Sequence, residues 1–407
     1  MILSAMPETN EYHEWLGGVL PSQDIRELID KSQIHSKQKL NLGENIQPAS
    51  IDLTLGPVAY RLQASFLPQS DTVRNRMEEL KMYEVDLEKG AILEREAVYL
   101  IPLRERLILP SDIRGKTNPK SSVGRLDVFT RVITDCASRF EEIKEEYRGE
   151  LFLEVVPRSF TIKVKTGQRL NQLRLFEAAP RIDKLDEGKS FFIPDYSKRE
   201  CIQGGELAKL YDDEKLLFDN DGKFIERPNR NFSNDGLLMS VDLSAPLGNG
   251  GPIGYKAKKN SQVIDLDKIG KYDADDFWEA IYPPKNGRLI LEPEEFYIFA
   301  SKERIRVPLS CAAEMVEFDA GSGELRTHYA GFFDPGFGYG KAGEIKGTKA
   351  VLEVRPHDVA FIIEDGQILF KMKYERMSAP PDIWYGSEIG SNYHNQALRL
   401  SKQFRQD

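Results

Sequence analysis

Apolar and polar residues alternate over short stretches of the chain, and Gly, Pro and Asn interrupt these stretches. Such alternation is typical of β-strands with one buried face. The predicted strands are 50–55, 97–101, 151–156, 161–165, 169–176, 240–243, 350–354 and 368–374. Helical periodicity is scarce, and residues 21–30 predict one short helix with Ser22 or Asp24 near its start. The pattern favours a mainly β protein with a few short helices, built as two antiparallel barrels or jelly rolls.

The chain contains an internal repeat, in which residues 93–176 match residues 291–375. The offset is 198 at Leu93 and Leu291 (291 − 93) and 199 at Glu154 and Glu353 (353 − 154). A register held over this length indicates a duplication. The copies differ at Arg125, which the alignment places opposite Glu324. We therefore predict that the copies have divided their labour.

The repeat predicts three parts of the chain. Residues 1–182 form the first domain, residues 183–235 a connector, and residues 236–407 the second domain. The connector is rich in Lys, Asp, Asn and Gly and belongs to neither copy. We expect some structure within it around residues 205–211.

Composition narrows the functional class. The 407 residues are 40% hydrophobic and 30% charged, which is ordinary for a soluble globular protein. A formal net charge of −9 argues against a nucleic-acid partner, because phosphate backbones need a wide basic surface. No apolar run has the length of a membrane span, and the N-terminus lacks signal-peptide character. Three scattered cysteines, Cys136, Cys201 and Cys311, fit a reducing compartment. We expect a cytoplasmic protein.

Two adjacent hydroxyls and an arginine occur in Lys120-Ser-Ser-Val-Gly-Arg125. Hydroxyls and exposed N–H groups can bind phosphate oxygens while a guanidinium binds two of them at once. The alternative is a solvated turn with incidental charges. The surrounding segment 114–131 is a local positive island, with a single acid, Asp127, and the bases Arg114, Lys116, Lys120, Arg125 and Arg131.

Two carboxylates of the second copy are further candidates. Asp334 begins Asp334-Pro-Gly-Phe337, where it could cap a turn or accept a hydrogen bond from a sugar hydroxyl. Glu353 stands in an apolar strand, and alternation places it on one face with Val351 and Arg355, while Leu352 and Val354 face the other way. If that face lines a pocket, burial raises the pKa of Glu353 into the range of proton transfer. On a solvated face, Glu353 would be an ordinary surface acid.

Two classes of nucleotide chemistry lack their motifs. Zinc deaminases need a His-x-Glu and a Pro-Cys-x-x-Cys, whereas this chain has no Cys-x-x-Cys and its five histidines lack ligand spacing. No Gly-x-x-x-x-Gly-Lys-Ser/Thr occurs either.

The motifs together resemble the dCTP deaminase branch of the trimeric dUTPase-like superfamily, over residues 20–180 and 236–400. The resemblance implies two tandem dUTPase-like domains, each a distorted jelly roll or β-barrel. It assigns substrate binding to Lys120, Ser121, Ser122, Arg125, Asp334, Val351, Leu352, Tyr385, Asn392 and Gln396. It assigns acid/base catalysis to Glu353. Asn392 replaces a lysine of the family tail, and Asp135-Cys-Ala-Ser replaces the Asp-Pro-Gly turn in copy one.

The resemblance implies hydrolytic deamination of dCTP to dUTP and ammonia. It implies no tightly bound cofactor, Mg²⁺ only on the triphosphate, and a composite site between unlike copies, within one chain or in a homo-oligomer. A first alternative is a dUTP diphosphatase or a bifunctional deaminase and diphosphatase, which the segment Tyr147-Arg-Gly-Glu150 keeps open because it is similar to a dUTPase motif. A second alternative is a non-catalytic nucleotide-binding protein on the same fold.

Overall fold

Short strands form most of the regular structure in the computed structural model, which describes residues 17–36, 42–184, 190–195, 201–227, 230–244, 250–317, 325–326, 331–387 and 398–405. The first half contains helices α1 (Ser22–Asp30), α2 (Leu42–Asn45), α3 (Val73–Leu80) and α4 (Ser121–Gly124). Its strands are β1 (Gly18–Val19), β2 (Ile34–Ser36), β3 (Ile46–Gln47), β4 (Ser50–Thr54), β5 (Val58–Leu62), β6 (Lys81–Asp86), β7 (Ala91–Leu93), β8 (Val98–Ile108), β9 (Ile113–Pro119), β10 (Val128–Ile133), β11 (Glu142–Ile143), β12 (Arg148–Pro157), β13 (Ile162–Val164) and β14 (Arg169–Glu177).

The hairpin of β15 (Ala179–Lys184) and β16 (Ser190–Asp195) follows, and then helix α5 (Gly204–Glu214). The remaining helix is α6 (Ala274–Phe277). The remaining strands are β17 (Leu217–Phe218), β18 (Phe232–Ser233), β19 (Gly236–Ser240), β20 (Gly254–Ala257), β21 (Ile264–Asp265), β22 (Trp278–Ile281), β23 (Arg288–Leu291), β24 (Tyr297–Ile305), β25 (Cys311–Glu317), β26 (Leu325–Arg326), β27 (Phe332–Phe333), β28 (Thr348–Pro356), β29 (Phe361–Glu364) and β30 (Ile368–Arg376). The expectation of a mainly β protein with few helices is confirmed.

The sequence repeat is also a repeat of strand pairing. The order β9-β14-β4 in the first half corresponds to β25-β30-β19 in the second, and the pair β12-β8 corresponds to β28-β24. The antiparallel pair β13-β7 has its counterpart in β29-β23. The halves are also joined by a strand pair, because β21 adds parallel to β13 with Ile264 opposite Ile162.

The pairing of the strands shows where along the chain the offset between the two repeats changes. Lys116 pairs with Arg174 across β9 and β14, whereas Glu314 pairs with Lys373 across β25 and β30. Lys116 and Glu314 therefore occupy equivalent positions at an offset of 198 (314 − 116), and the offset reaches 199 only after β9. The alignment of Arg125 with Glu324 was made at an offset of 199. Residue 324 lies outside the described part of the chain, but Leu325 pairs with Pro356 as Val128 pairs with Pro157, which is an offset of 197 (325 − 128). The strand register next to this position therefore does not support an offset of 199.

Two sequence predictions differ from the structure in detail. Helix α1 is present, but Pro21 occupies its N-cap without a side-chain bond, and Ser22 donates instead to the Asp382 carboxylate. The strand predicted at 240–243 ends at Ser240, because the backbone N–H of Asp242 donates to Ala300 of β24, in the other sheet of the second half. The chain changes sheets at this point.

Each half has its own apolar core, and each core also takes residues from elsewhere in the chain. Leu352 and Val354 of β28 pack into the second core, whereas Val351 packs against the first. Tyr211 of α5 belongs to the second core, so the predicted connector contributes a packed helix. Phe404, near the C-terminus, is fully buried in the first core.

Buried charges join the two halves. Arg174 of β14 is fully buried, and its Nη1 donates to Glu375 Oε2 at 2.6 Å and to the Ala313 carbonyl oxygen at 3.1 Å. Its guanidinium lies 4.1 Å from the centroid of the Phe332 ring. Burial raises the pKa of the Glu375 carboxyl, with Arg174 acting in the opposite direction. These contacts fix β14 of the first half against β25 and β30 of the second.

We expect Arg174→Met to destabilise the protein, because Glu375 would stay buried without its partner. Removing one member of a buried pair costs about 3–5 kcal/mol. The measurement is the free energy of unfolding in urea. A matched control is Arg139→Ala, which breaks the exposed pair of Arg139 with Glu142 and should cost less than about 1 kcal/mol. Equal losses in the two variants would contradict the role given to Arg174.

Candidate active site

A cavity of about 810 Å³ lies between the two halves of the chain. Both halves line it, and most of the predicted site residues are among the lining: Lys120, Ser121, Ser122, Arg125, Asp334, Val351, Glu353 and Tyr385. The side chain of Leu352 points into the second core instead, as strand alternation requires. Asn392 and Gln396 lie outside the described residues, so their roles stay predictions. Residues far apart in sequence thus line one cavity within one chain.

The hydroxyl-rich motif forms the one-turn helix α4 at the end of β9 rather than a solvated loop. Ser121 is exposed toward the cavity, while Ser122 is buried and its carbonyl oxygen accepts a bond of 2.5 Å from Ser401 Oγ. Arg125 is 2% exposed, and its Nη1 donates to the Arg399 carbonyl oxygen at 2.9 Å. The C-terminal segment 398–405 therefore holds this motif in place.

The positive island predicted over residues 114–131 is largely neutralised. Lys116 binds Glu314 at 2.6 Å, Lys120 binds the Asp52 carboxylate, and Arg131 binds Glu154. Arg114 stacks over the Phe176 ring at 4.9 Å. Of the five bases, only Lys120 and Arg125 line the cavity. The predicted island is therefore not a continuous basic surface, because the carboxylates that pair with its bases come from other elements of the chain.

Among the described residues, the cavity wall carries three further cations that the sequence analysis did not identify. They are Lys165, Arg169 and Lys402. Lys165 and Arg169 flank the turn between β13 and β14. A short basic loop next to the end of a predicted strand could therefore have identified them from the sequence. Lys165 is paired with Asp267 at 2.5 Å. No motif or spacing pointed to Lys402, because it comes from a segment beyond both repeats.

Glu353 is nearly buried at the boundary between the halves, with 6% of its surface exposed. A Cβ added to Gly124 would lie 2.6 Å from Glu353 Oε2, so a glycine at this position leaves room for the carboxylate. Burial raises the pKa of Glu353 to about 8, with Arg125 acting in the opposite direction and Asp127 adding to the rise. A carboxyl group with such a pKa can hold or release a proton near neutral pH.

A buried ion pair lies two residues beyond Glu353. Arg355 Nη2 donates to the Asp127 carboxylate and, at 3.1 Å, to Ser159 Oγ. Ser159 Oγ itself donates to Asp127 Oδ2 at 2.6 Å. Since Asp127 follows Arg125 by two residues, this pair fixes the position of β28 against α4. The sequence placed Arg355 on the face of Glu353 but did not identify its partner.

The corresponding carboxylates of the first repeat have structural partners. Glu154 is fully buried, and Arg131 Nε donates to its Oε1 at 3.0 Å. Asp135 Oδ1 accepts a bond of 2.7 Å from the backbone N–H of Val73, at the start of α3. Both groups are therefore held by structural contacts in the first half.

The Asp334 turn has the expected form. Gly336 has a φ of +95°, and the backbone N–H of Phe337 donates to the Asp334 carbonyl oxygen at 3.1 Å. The backbone N–H of Tyr385 donates to the Pro335 carbonyl oxygen at 2.8 Å, and the Tyr385 ring lies 5.2 Å from the Phe337 ring. Burial raises the pKa of the Asp334 carboxyl to about 6, with Arg174 acting in the opposite direction. Because the side chain of Asp334 lines the cavity, it is available to a ligand.

In the part of the chain that the structure describes, no group of three or more His, Cys, Asp or Glu side chains could hold a metal ion. No described helix is both long and apolar enough to cross a membrane.

Comparisons with known proteins match nearly the whole chain. Residues 16–179 match the 2'-deoxycytidine 5'-triphosphate deaminase N-terminal domain, and residues 205–404 match the C-terminal domain of the same family. The second match begins within the segment predicted as a connector.

A solved structure and curated relatives are both named as dCTP deaminases, and the names of the curated relatives add that they form dUMP. The crystal structure of 2'-deoxycytidine 5'-triphosphate deaminase from Agrobacterium tumefaciens is 42% identical and superposes with a TM-score of 0.78, covering 92% of this chain and 99% of that one. A "dCTP deaminase, dUMP-forming" from Corynebacterium glutamicum is 27% identical over 173 residues, 42% of this chain and 87% of the relative. An enzyme of the same name from Thermobifida fusca is 27% identical over 160 residues, 39% of this chain and 78% of the relative. The chain therefore belongs to the dCTP deaminase family of enzymes.

Proposed function

We propose that the protein deaminates dCTP hydrolytically to dUTP and ammonia, in the cavity lined by both repeats. The observation that carries this proposal is Glu353, a nearly buried carboxyl group with a raised pKa on the cavity wall, packed against Gly124 and near Arg125. The names of the related enzymes support the same substrate.

In this proposal Glu353 moves the protons of the reaction. Its carboxylate takes a proton from water as the oxygen adds to C4 of cytosine, and that proton passes to ring nitrogen N3. Glu353 then takes the proton of the new C4 hydroxyl and delivers it to the amino group. The C4–N bond breaks, a carbonyl forms at C4, and ammonia leaves. A carboxyl group whose pKa lies near the working pH suits both directions of transfer.

The remaining residues would bind the nucleotide. Ser121 and Arg125 would bind the polyphosphate, since a hydroxyl and a guanidinium both donate to phosphate oxygens. Asp334 would accept a hydrogen bond from the sugar, and Tyr385 would cover one side of the cavity. Mg²⁺ would enter as part of the triphosphate substrate. Lys120 is already bound to Asp52, so a phosphate would have to compete with that carboxylate.

Formation of dUMP is a second candidate function, favoured by the name "dUMP-forming" of the related enzymes from Corynebacterium and Thermobifida. In that case the same site would also hydrolyse dUTP to dUMP and pyrophosphate. Asp334, with its raised pKa, would then help to activate the attacking water.

The test is to incubate the pure protein with Mg²⁺ and either dCTP or dUTP, then measure ammonia and pyrophosphate separately. We expect ammonia and dUTP from dCTP, with dUTP left intact. Pyrophosphate from both substrates would establish the bifunctional alternative. A rise in thermal stability with dCTP but no product would indicate a non-catalytic nucleotide-binding protein.

Glu353→Gln should lower turnover of dCTP by about 10²–10⁴, because the amide cannot accept the proton of water. The matched control is Glu154→Gln, which changes the equivalent strand position of the first repeat. Because Glu154 is bound to Arg131, this variant should keep turnover within a few fold and lose stability instead. Similar losses of turnover in both variants would mean that the repeats do not divide their labour.

The pH dependence of kcat/KM should report the ionisation of Glu353 in the free enzyme. A base must be ionised to accept a proton, and burial raises the pKa of Glu353 to about 8. We therefore expect kcat/KM for dCTP to rise with pH up to about 8 and then to level off. The residual activity of Glu353→Gln should lack this rise. A wild-type profile without it would argue against Glu353 as the base.

A further inference from the structure

We propose that Lys402 binds the polyphosphate of the nucleotide and makes the cavity selective for a triphosphate over a monophosphate. The inference rests on the proposed function, since it assigns a further binding residue to the same site. Lys402 lies outside both sequence repeats, and it lines the cavity together with Lys120 and Arg169.

The segment that carries Lys402 is anchored by hydrogen bonds on either side of this residue. The Arg399 carbonyl oxygen accepts from Arg125 at 2.9 Å, and Ser401 Oγ donates to the Ser122 carbonyl oxygen at 2.5 Å. Beyond Lys402, Gln403 Nε2 donates to the Leu266 carbonyl oxygen at 3.1 Å. Two of these contacts are made to the hydroxyl-rich motif itself.

The backbone of Lys402 is also fixed. Its carbonyl oxygen accepts from the backbone N–H of Gly270 at 2.9 Å. Phe404 is fully buried, and its ring lies 5.4 Å from Phe277 and 6.0 Å from Trp278. The neighbours Ser401 and Gln403 are buried, whereas Lys402 is half-buried on the cavity wall. A lysine on a fixed backbone binds an anion with a smaller entropy cost than one on a mobile tail.

The charges around Lys402 leave an excess of positive charge. Burial lowers the pKa of its ammonium, Lys120 and Arg169 lower it further, and Asp52 opposes them. Lys120 already binds Asp52, and Arg169 donates to the Glu44 carbonyl oxygen and to Asn45 Oδ1. Among the described residues, Lys402 forms no ion pair. Converging cations with a single carboxylate between them attract a multiply charged anion.

Lys402 lies beside the hydroxyl-rich motif on the cavity wall, because the neighbouring Ser401 Oγ donates to the Ser122 carbonyl oxygen. In the proposed function this motif binds the polyphosphate, so Lys402 would meet the phosphates rather than the base. A monophosphate carries less negative charge than a triphosphate, so a cation at this position favours the triphosphate.

The test compares Lys402→Gln with Lys268→Gln, a matched loss of one charge at an exposed residue that does not itself line the cavity. A charge-assisted bond contributes about 1.5–3 kcal/mol, so KM for dCTP should rise at least about tenfold in Lys402→Gln. We expect kcat within about threefold of wild type, since the lost contact is uniform binding. Lys402→Arg should restore KM, and Lys268→Gln should leave it unchanged.

Calorimetry with inorganic tripolyphosphate and with dCMP completes the test. Binding of tripolyphosphate should weaken in Lys402→Gln, whereas binding of dCMP should not change. An unchanged KM for dCTP in Lys402→Gln, or equal weakening of dCTP and dCMP, would overturn the inference. If the proposed function is wrong, the wild-type protein will release no ammonia from dCTP. That result is distinct from the results that would contradict the role of Lys402. The tripolyphosphate measurement would still decide whether Lys402 binds a polyphosphate.

Discussion

The site depends on charges that are buried between the two repeats. Arg174 of β14 in the first half pairs with Glu375 of the second half. Arg355 of β28 in the second half pairs with Asp127 of the first half. A buried charge without a partner is strongly unfavourable, so these pairs allow little sliding of one half over the other. Glu353 and Gly124 come into contact because this relative position is fixed. The cavity is a product of the contact between the repeats rather than of either one.

Two glutamates at equivalent strand positions of the repeats have different charged neighbours. Glu154 and Glu353 stand in similar apolar strands, and both are buried. Arg131 forms an ion pair with Glu154. Near Glu353 the opposing charge of Arg125 is offset by Asp127, and burial dominates, so its pKa rises to about 8. The same residue is thus held in an ion pair in one copy and has a raised pKa in the other, where the proposed function assigns it the transfer of protons.

Local patterns predicted the strands, the turn at Asp334 and the face of β28 that carries Glu353, because each depends on alternation or on turn chemistry within a few residues. The pairing of Lys116 with Glu314, Lys120 with Asp52 and Arg355 with Asp127 depends on contacts across 68 to 228 residues. No local pattern encodes such contacts. The positive island was therefore overestimated, and Lys402 was missed because its position depends on how the C-terminal segment docks.

The pair of Lys116 with Glu314 shows what duplication within a single chain makes possible. These residues are the same position of the repeat, and they meet each other at 2.6 Å. In an assembly of identical copies, equivalent residues that met in this way would be two lysines or two glutamates, and like charges would repel. Opposite charges at one repeat position can evolve only when the two copies are separately encoded. The contact between the halves is therefore directional, because each half is complementary in charge to the other at this position and not to a second copy of itself.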